Sequence, residues 1–436
     1  MRDERWPAIA FALVAVLLAY AGSFRGAFQF DDYNVIVSAE SVHSFAAWWA
    51  QLGHGLRPLL KLSYLLNWLL DPRPRGFHLV NFVVHLACSG MVYLLARKFG
   101  ETVRPDLDWQ PVAFATALVF ALHPVHTEAV TYVSGRATSL MTLLYLLAMW
   151  AHACGWRIRS LLFFLMALLV KESAILLPAG LLLWEILIGT RWPGMWRRLW
   201  PWLALGALAT AGVLVHPAYR QLLLGSWAQH AWAAAAFTQL HGAAWLLGQW
   251  LWPSALNIDP DLPVIGSAWD VWPQLLGLAA LLALAWWARR RRPWLSLGLC
   301  WAVLHLFVFN ALFPRVDVAN ERLLYWGDWA LTFALLSELR LALPARGFAG
   351  AAMLLACVLG VATFLRNEAY RSEIALWQDT AAKSPRKARV LNNLGYAHAE
   401  AGQFEAARAA YEQALRLQPD YIKARNNLER LPGKSP

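Results

Sequence analysis

Charge is what this chain has least of. Lys, Arg, Asp and Glu together make up 15% of its 436 residues, where an average soluble domain carries roughly 25%. A surface wetted on all sides is thereby excluded. Cysteine is scarce too: Cys88, Cys154, Cys300 and Cys357 each lie inside an apolar stretch with no metal-ligand spacing, so neither a zinc module nor a disulfide framework is indicated. A continuous basic face is also missing. The formal net charge is +11, yet Arg and Lys fall in short clusters between apolar runs, which reads as a topology signal and argues against nucleic acid as a partner.

What is there is greasy and aromatic. Hydrophobic residues make up 59% of the chain and Trp alone occurs 26 times, many near the ends of apolar runs, where amphipathic rings anchor spans at headgroup level. The chain reads as an all-α polytopic membrane protein in contact with the lipid bilayer over most of its length.

Met1 to Phe24 carries Arg2 and Arg5 ahead of an apolar run long enough to cross a bilayer; a signal peptide cut near Ala21-Gly22-Ser23 is the rival reading. Residues 25–75 are too polar to cross. Within them Leu56 to Leu70 is amphipathic and is expected to lie along the surface. Spans follow at Gly76 to Leu95, Pro111 to Leu122 and onwards, separated on one side by the basic turns at Arg97-Lys98, Arg157 to Arg159, Arg191 to Arg198 and Arg289 to Arg292. Trp227 to Trp252 is ambiguous. It either dips or lies at the surface, or a further hidden crossing exists, and we favour the surface or re-entrant helix. Later spans at Val271 to Ala288, Leu295 to Leu312, Tyr325 to Leu339 and Phe348 to Phe364 bring the expectation to about eleven crossings, which leaves the C-terminal tail on the outer side.

Two adjacent carboxylates, Asp31 and Asp32, emerge just past the first run, on the side away from the basic turns. They are either a solvated turn or a functional pair, since ionisable groups at a membrane boundary are costly to hold. A second outer stretch, His123-Pro-Val-His-Thr-Glu128 and onwards to Ser139, tempts a metal reading. It is not the HExxH motif, and the proline after His123 means that the two rings need not share a face. A metal there needs a further ligand such as Asp32; contacts to a sugar from His126 and Glu128, or loop structure alone, are the competing readings.

From Arg366 the chain becomes polar. Ala388 to Tyr421 follows the tetratricopeptide pattern, with Leu394-Gly395 early, Ala407, Tyr411 and Ala414 in the second helix and Pro419 at the close. One full unit flanked by halves is too little to stand alone. It is expected to dock on the membrane part or to receive a protein partner there.

The strings FQFDDYNVIV, ALHPVHTEAVTYVSGRA, KESAILLPAGLL, LWPSALNIDPDLP, NERLLYW and LNNLGYAHAEAGQFEAARAAYEQALRLQP together resemble the transmembrane and tetratricopeptide-repeat O-mannosyltransferases and their bacterial relatives. The resemblance covers nearly the whole chain, except that the animal members carry long repeat arrays and this tail is short. It implies a GT-C-type bundle over residues 1–365, with a catalytic first outer loop at 25–75, and an outer-side tetratricopeptide module over 366–436. It also implies a polyprenyl-phosphate sugar as donor, with mannose the expected sugar, and a hydroxyl of a protein or glycan as acceptor. In the family the first loop's acidic residue is catalytic, which points to Asp31 as base and Asp32 as its orienting neighbour.

Chemistry agrees with that assignment. A hydroxyl attacking a sugar phosphate needs a base for its proton and cations for the departing phosphate. Arg322, Lys171 and Arg136 are the expected phosphate ligands, against snorkelling or ion pairs with Glu321 and Glu172. His126, Glu128 and Tyr325 are expected against the substrate. A single base predicts inversion, and the branch resembled generally works without a metal. No cofactor is therefore expected, and a divalent ion is the disfavoured alternative. A pyrophosphate-linked glycan polymerase or ligase, and a lipid-glycan transporter or scaffold, are the competing functions. The basic turns suit a bacterial inner membrane with its chemistry at the periplasmic face; an endoplasmic-reticulum membrane obeys the same rules.

Overall fold

The computed structural model describes residues 5–227, 232–312 and 318–432; Arg2, part of the ambiguous 227–252 stretch and the last residues of the tail lie outside them. Every regular element among the described residues is a helix. Lipid offers no hydrogen bonds, so a spanning segment has to satisfy its backbone internally, and a helix does so without partners.

Among the described residues, five helices are long and apolar enough to cross a membrane: Pro74–Val103, Trp192–Val215, Ala268–Ala288, Pro293–Leu312 and Ala345–Tyr370. A sixth is added if Gln110–Leu122 and Pro124–Val130, bent by 54°, form one broken span. Eleven crossings are therefore not confirmed among the described residues. Most of the other expected segments are helical but short, as in Arg5–Ala19, Arg157–Val170, Leu177–Leu187 and Trp329–Ala342. Polar or strained turns cut them off: Lys171 and Glu172 lie between the second and third of these, and Asp328 sits at the start of the fourth. The helix Trp232–Leu251 is not among those apolar enough to cross.

The bundle's core is aromatic. Phe99, Trp109, Trp184, Trp294 and Phe333 interlock at centroid distances of 5.0 to 6.1 Å. Gly298 lets the helix Pro293–Ala302 approach Trp329–Ala342 closely, since a Cβ there would lie 2.7 Å from the Ala330 carbonyl. Outward-facing side chains such as Leu208, Leu354 and Val361 are exposed and apolar, as a lipid-facing surface requires. One end of the bundle carries basic turns held by carboxylates: Arg198 and His152 pair with Glu185, and Arg292 with Glu338.

The other end is a crown of loops on which the tail sits. The amphipathic helix Pro58–Leu70 buries Leu60, Tyr64 and Leu65 against the bundle and exposes Leu66, Leu69 and Leu70. The tail is four helices, Glu373–Lys383, Ala388–Glu400, Phe404–Leu417 and Ile422–Glu429. Gly395 is there because the Tyr411 ring fills the space its side chain would need, 2.6 Å from an added Cβ. Leu376 and Trp377 of the first tail helix share a buried cluster with Tyr132 and Ile258 of the crown loops, so the tail docks on the membrane part.

Candidate active site at the loop crown

The two first-loop acids sit in different surroundings. Asp32 is fully buried, and its carboxylate accepts hydrogen bonds from the backbone N–H of Gln29 at 3.0 Å, the N–H of Ser134 at 2.8 Å and the Ser134 hydroxyl. Burial pushes its pKa up to about 7 despite those three donors, which favour the charged form. Asp31 is only partly buried, and its backbone N–H donates to the Tyr132 hydroxyl at 2.9 Å. Asp32 thus staples the first loop to the second, and Asp31 stands beside the staple.

The second loop folds as three short turns, Pro124–His126, Thr127–Val130 and Val133–Gly135. It buries Glu128, whose Oε1 lies 2.8 Å from Arg322 Nε; Oε2 accepts from the Arg322 backbone N–H at 3.3 Å. Asn320 accepts from the same backbone N–H and from Nε, both at 3.0 Å. The guanidinium so fixed lies 5.7 Å from the centre of the Tyr132 ring. Tyr132 therefore touches Asp31 through its hydroxyl and Arg322 through its ring face, and joins residues nearly three hundred positions apart in the sequence.

Lys171 is buried and donates to Thr138 Oγ1 at 2.7 Å, on the first turn after the Ser134 staple. Its neighbour Glu172 pairs instead with Arg57, through two bonds of 2.6 and 3.0 Å. Burial raises the Glu172 pKa, but the Arg57 charge and hydrogen bonds outweigh it and hold the carboxyl at about 2. Arg57, at the start of the amphipathic helix, is thus a crown brace.

Three expected ligands lie elsewhere. Arg136 is fully buried, and its guanidinium donates to Asn81 Oδ1, Asn67 Oδ1 and the carbonyls of Ser63 and Phe77, between the rings of Tyr64 and Phe77. Those four bonds fasten the amphipathic helix and the Pro74–Val103 helix to the second loop, which is the arrangement of a structural brace. His126 and Tyr325 are also fully buried, with ring centroids 4.9 Å apart, and the Tyr325 hydroxyl bonds His85 Nδ1 at 2.8 Å. They pack together beneath the site.

Sequence reasoning passed over Tyr132, Ser134 and the tail's Asp379. Glu321 is buried next to Arg322, 3.6 Å from Arg366, and Arg366 reaches Asp379 of the tail at 2.5 Å. Burial is the main reason that the Glu321 pKa rises to about 7. Only the intervening loop 253–263, whose Asn257 bonds both Glu321 and Ser384, shows why these groups meet. Tyr132 and Ser134 stood inside a quoted string but carried no charge to draw notice. Among the described residues no three His, Cys, Asp or Glu side chains gather as a metal-holding group.

The fold and this crown define a multi-pass helical membrane protein whose loop acids and a late arginine are assembled under a repeat tail. Residues 388–421 match the tetratricopeptide repeat family model. The chain is 26% identical to Protein O-mannosyl-transferase Tmtc3 of Drosophila melanogaster over 96% of this chain and 56% of that protein. It is 25% identical to Protein O-mannosyl-transferase F38B6.6 of Caenorhabditis elegans, over 93% of this chain and 62% of the other, and 28% identical to Protein O-mannosyl-transferase TMTC4 of Homo sapiens, over 93% and 66%. The chain is thus a homologue, along nearly its whole length, of the transmembrane and tetratricopeptide-repeat protein O-mannosyltransferases. It spans between half and two-thirds of the length of these relatives. No solved structure matches it.

Proposed function

We propose that the protein is a membrane glycosyltransferase that moves a monosaccharide, mannose, from a polyprenyl-phosphate carrier to a hydroxyl acceptor at the crown. One observation carries the reading: the Tyr132 hydroxyl accepts from the Asp31 backbone N–H and its ring faces the Arg322 guanidinium, which supports a base and a cation at one small platform. In the reaction the acceptor oxygen bonds to the sugar C1 while Asp31 takes its proton. The bond from C1 to the phosphate oxygen breaks, and the carrier phosphate leaves with the electron pair. One displacement inverts the anomeric centre. Arg322 meets the developing phosphate charge through charge-assisted hydrogen bonds, with Lys171 as the second cation. Neither step calls on a metal. Asp32 positions the loop and takes no proton from the acceptor.

The crown lies opposite the end carrying Arg157, Arg159 and Arg289 to Arg292. With positive turns inside, it faces the periplasm of a bacterial inner membrane. The tail then stands on the same side as the acceptor.

The test is transfer of labelled mannose from polyprenyl-phosphate mannose by the purified chain in lipid nanodiscs. Asp31→Asn should abolish turnover and leave donor binding within about twofold, because a carboxamide cannot accept the proton. Unchanged turnover in that variant defeats the assignment of the base.

A further inference from the structure

Beneath the platform lies a pair that the reaction scheme leaves out. His126 Nδ1 is 2.8 Å from the Phe120 carbonyl oxygen. A carbonyl only accepts, so that nitrogen carries a hydrogen. The other ring nitrogen, Nε2, is 3.3 Å from Asp328 Oδ2, and neither side chain has any exposed surface. The rings of Phe120 and Tyr325, with centroids 4.4 and 4.9 Å from that of His126, wall the pair in.

With its hydrogen fixed on Nδ1, a neutral imidazole turns a lone pair toward the carboxylate. That sets a lone pair against a buried carboxylate, an arrangement costing several kcal/mol or more. One proton between Nε2 and Oδ2 removes the conflict. Whether it is written as imidazolium and carboxylate or as imidazole and carboxylic acid, the pair is neutral overall and behaves as a unit.

Position gives the pair its use. His126 stands two residues before Glu128, and Asp328 six residues after Arg322. We propose that His126 and Asp328 are positioning residues that share one proton and thereby fasten the turn of Glu128 to the turn of Arg322, which fixes the guanidinium over Tyr132. The tautomer and the fastening stand on geometry alone; only the consequence for turnover rests on the transferase reading.

The experiment uses the full chain in nanodiscs with farnesyl phosphate as the probe of the phosphate site. Nitrogen-15 NMR of His126 should show Nδ1 protonated and an Nε2 resonance that moves in Asp328→Ala. Asp328→Ala should weaken farnesyl phosphate binding about tenfold or more. Asp328→Asn should recover it to within about threefold, because its amide N–H can donate to the Nε2 lone pair. In mannosyl transfer the loss should fall on the donor KM, with the acceptor KM unchanged. An unprotonated Nδ1, wild-type binding in Asp328→Ala, or no recovery in a folded Asp328→Asn overturns the proposal. If the wild type binds farnesyl phosphate yet transfers no sugar, the transferase reading fails and the binding series still decides the bridge.

Discussion

The ring of Phe30 meets the ring of Trp377 edge to face, 5.2 Å between centroids. Phe30 is the residue before Asp31 and has φ of +46°, in the left-handed region that side chains other than glycine seldom adopt. Something outside the loop has to hold it there. Trp377, on the first tail helix, is that support, and Gln29 Nε2 adds a second tie to the Tyr370 carbonyl at 2.5 Å. The tail is therefore a wall of the site as well as a landing surface.

Trp377→Ala should accordingly cost about 3–5 kcal/mol, as expected for a large aromatic removed from a packed interior. It should also lower turnover on even a small hydroxyl acceptor. Melting temperature and transfer rate measured together check this. Arg430→Ala, on the exposed end of the tail, should change neither.

Asp32 makes stability depend on pH in a defined direction. Its folded pKa of about 7 lies above the ordinary carboxyl value of 3.8, so between those limits the folded state holds a proton that the unfolded chain has released. Its contribution is full below the lower value and is lost as pH rises to the upper one. The stability advantage of wild type over Asp32→Ala should shrink from pH 5 to pH 7.5 in thermal melts. A pH-independent difference would refute the linkage.

Arg136→Ala should act on folding and leave phosphate recognition alone. It removes the partner of Asn67, Asn81 and two carbonyls at once, and unpaired buried acceptors cost about 1–3 kcal/mol each. The expected result is a large loss of folded protein, with the surviving fraction binding farnesyl phosphate as wild type does. Weakened binding at full stability would return Arg136 to the phosphate site.

Gly135 closes the second loop, where an added Cβ would collide with the Glu128 carbonyl and sit 2.9 Å from that of Ala129. Gly135→Ala should displace the Ser134 staple and expose the first loop. Limited proteolysis should then cut between residues 25 and 57 at least several-fold faster than in wild type; equal rates would mean that the loop absorbs the methyl group elsewhere.

Much of the crown was readable from residue types. Two acids after an apolar run, an arginine between two runs and the His-Glu loop all belong to it, because charge in so greasy a chain has few places to go. Arg136 and Lys171 look alike on paper, and what separates them is their partners. Tyr132, Ser134 and Asp328 gave no usable signal, since a hydroxyl ring, a serine and one more acid acquire their roles only from what the fold packs against them. Eleven crossings are not confirmed for a related reason: apolar composition marks a segment as buried without saying whether lipid or protein buries it.

Sequence alone was enough to make this chain helical and membrane-bound, to place a repeat hairpin at residues 388–421 and to show which family it resembles, because composition and period act along the chain and need no partner. Tertiary structure alone decided that Asp32 is a staple, that Arg136 is a brace and that Trp377 supports Asp31. Those roles are set by contacts between residues far apart in the chain, and the energy of such a contact depends on a neighbour that no local pattern specifies.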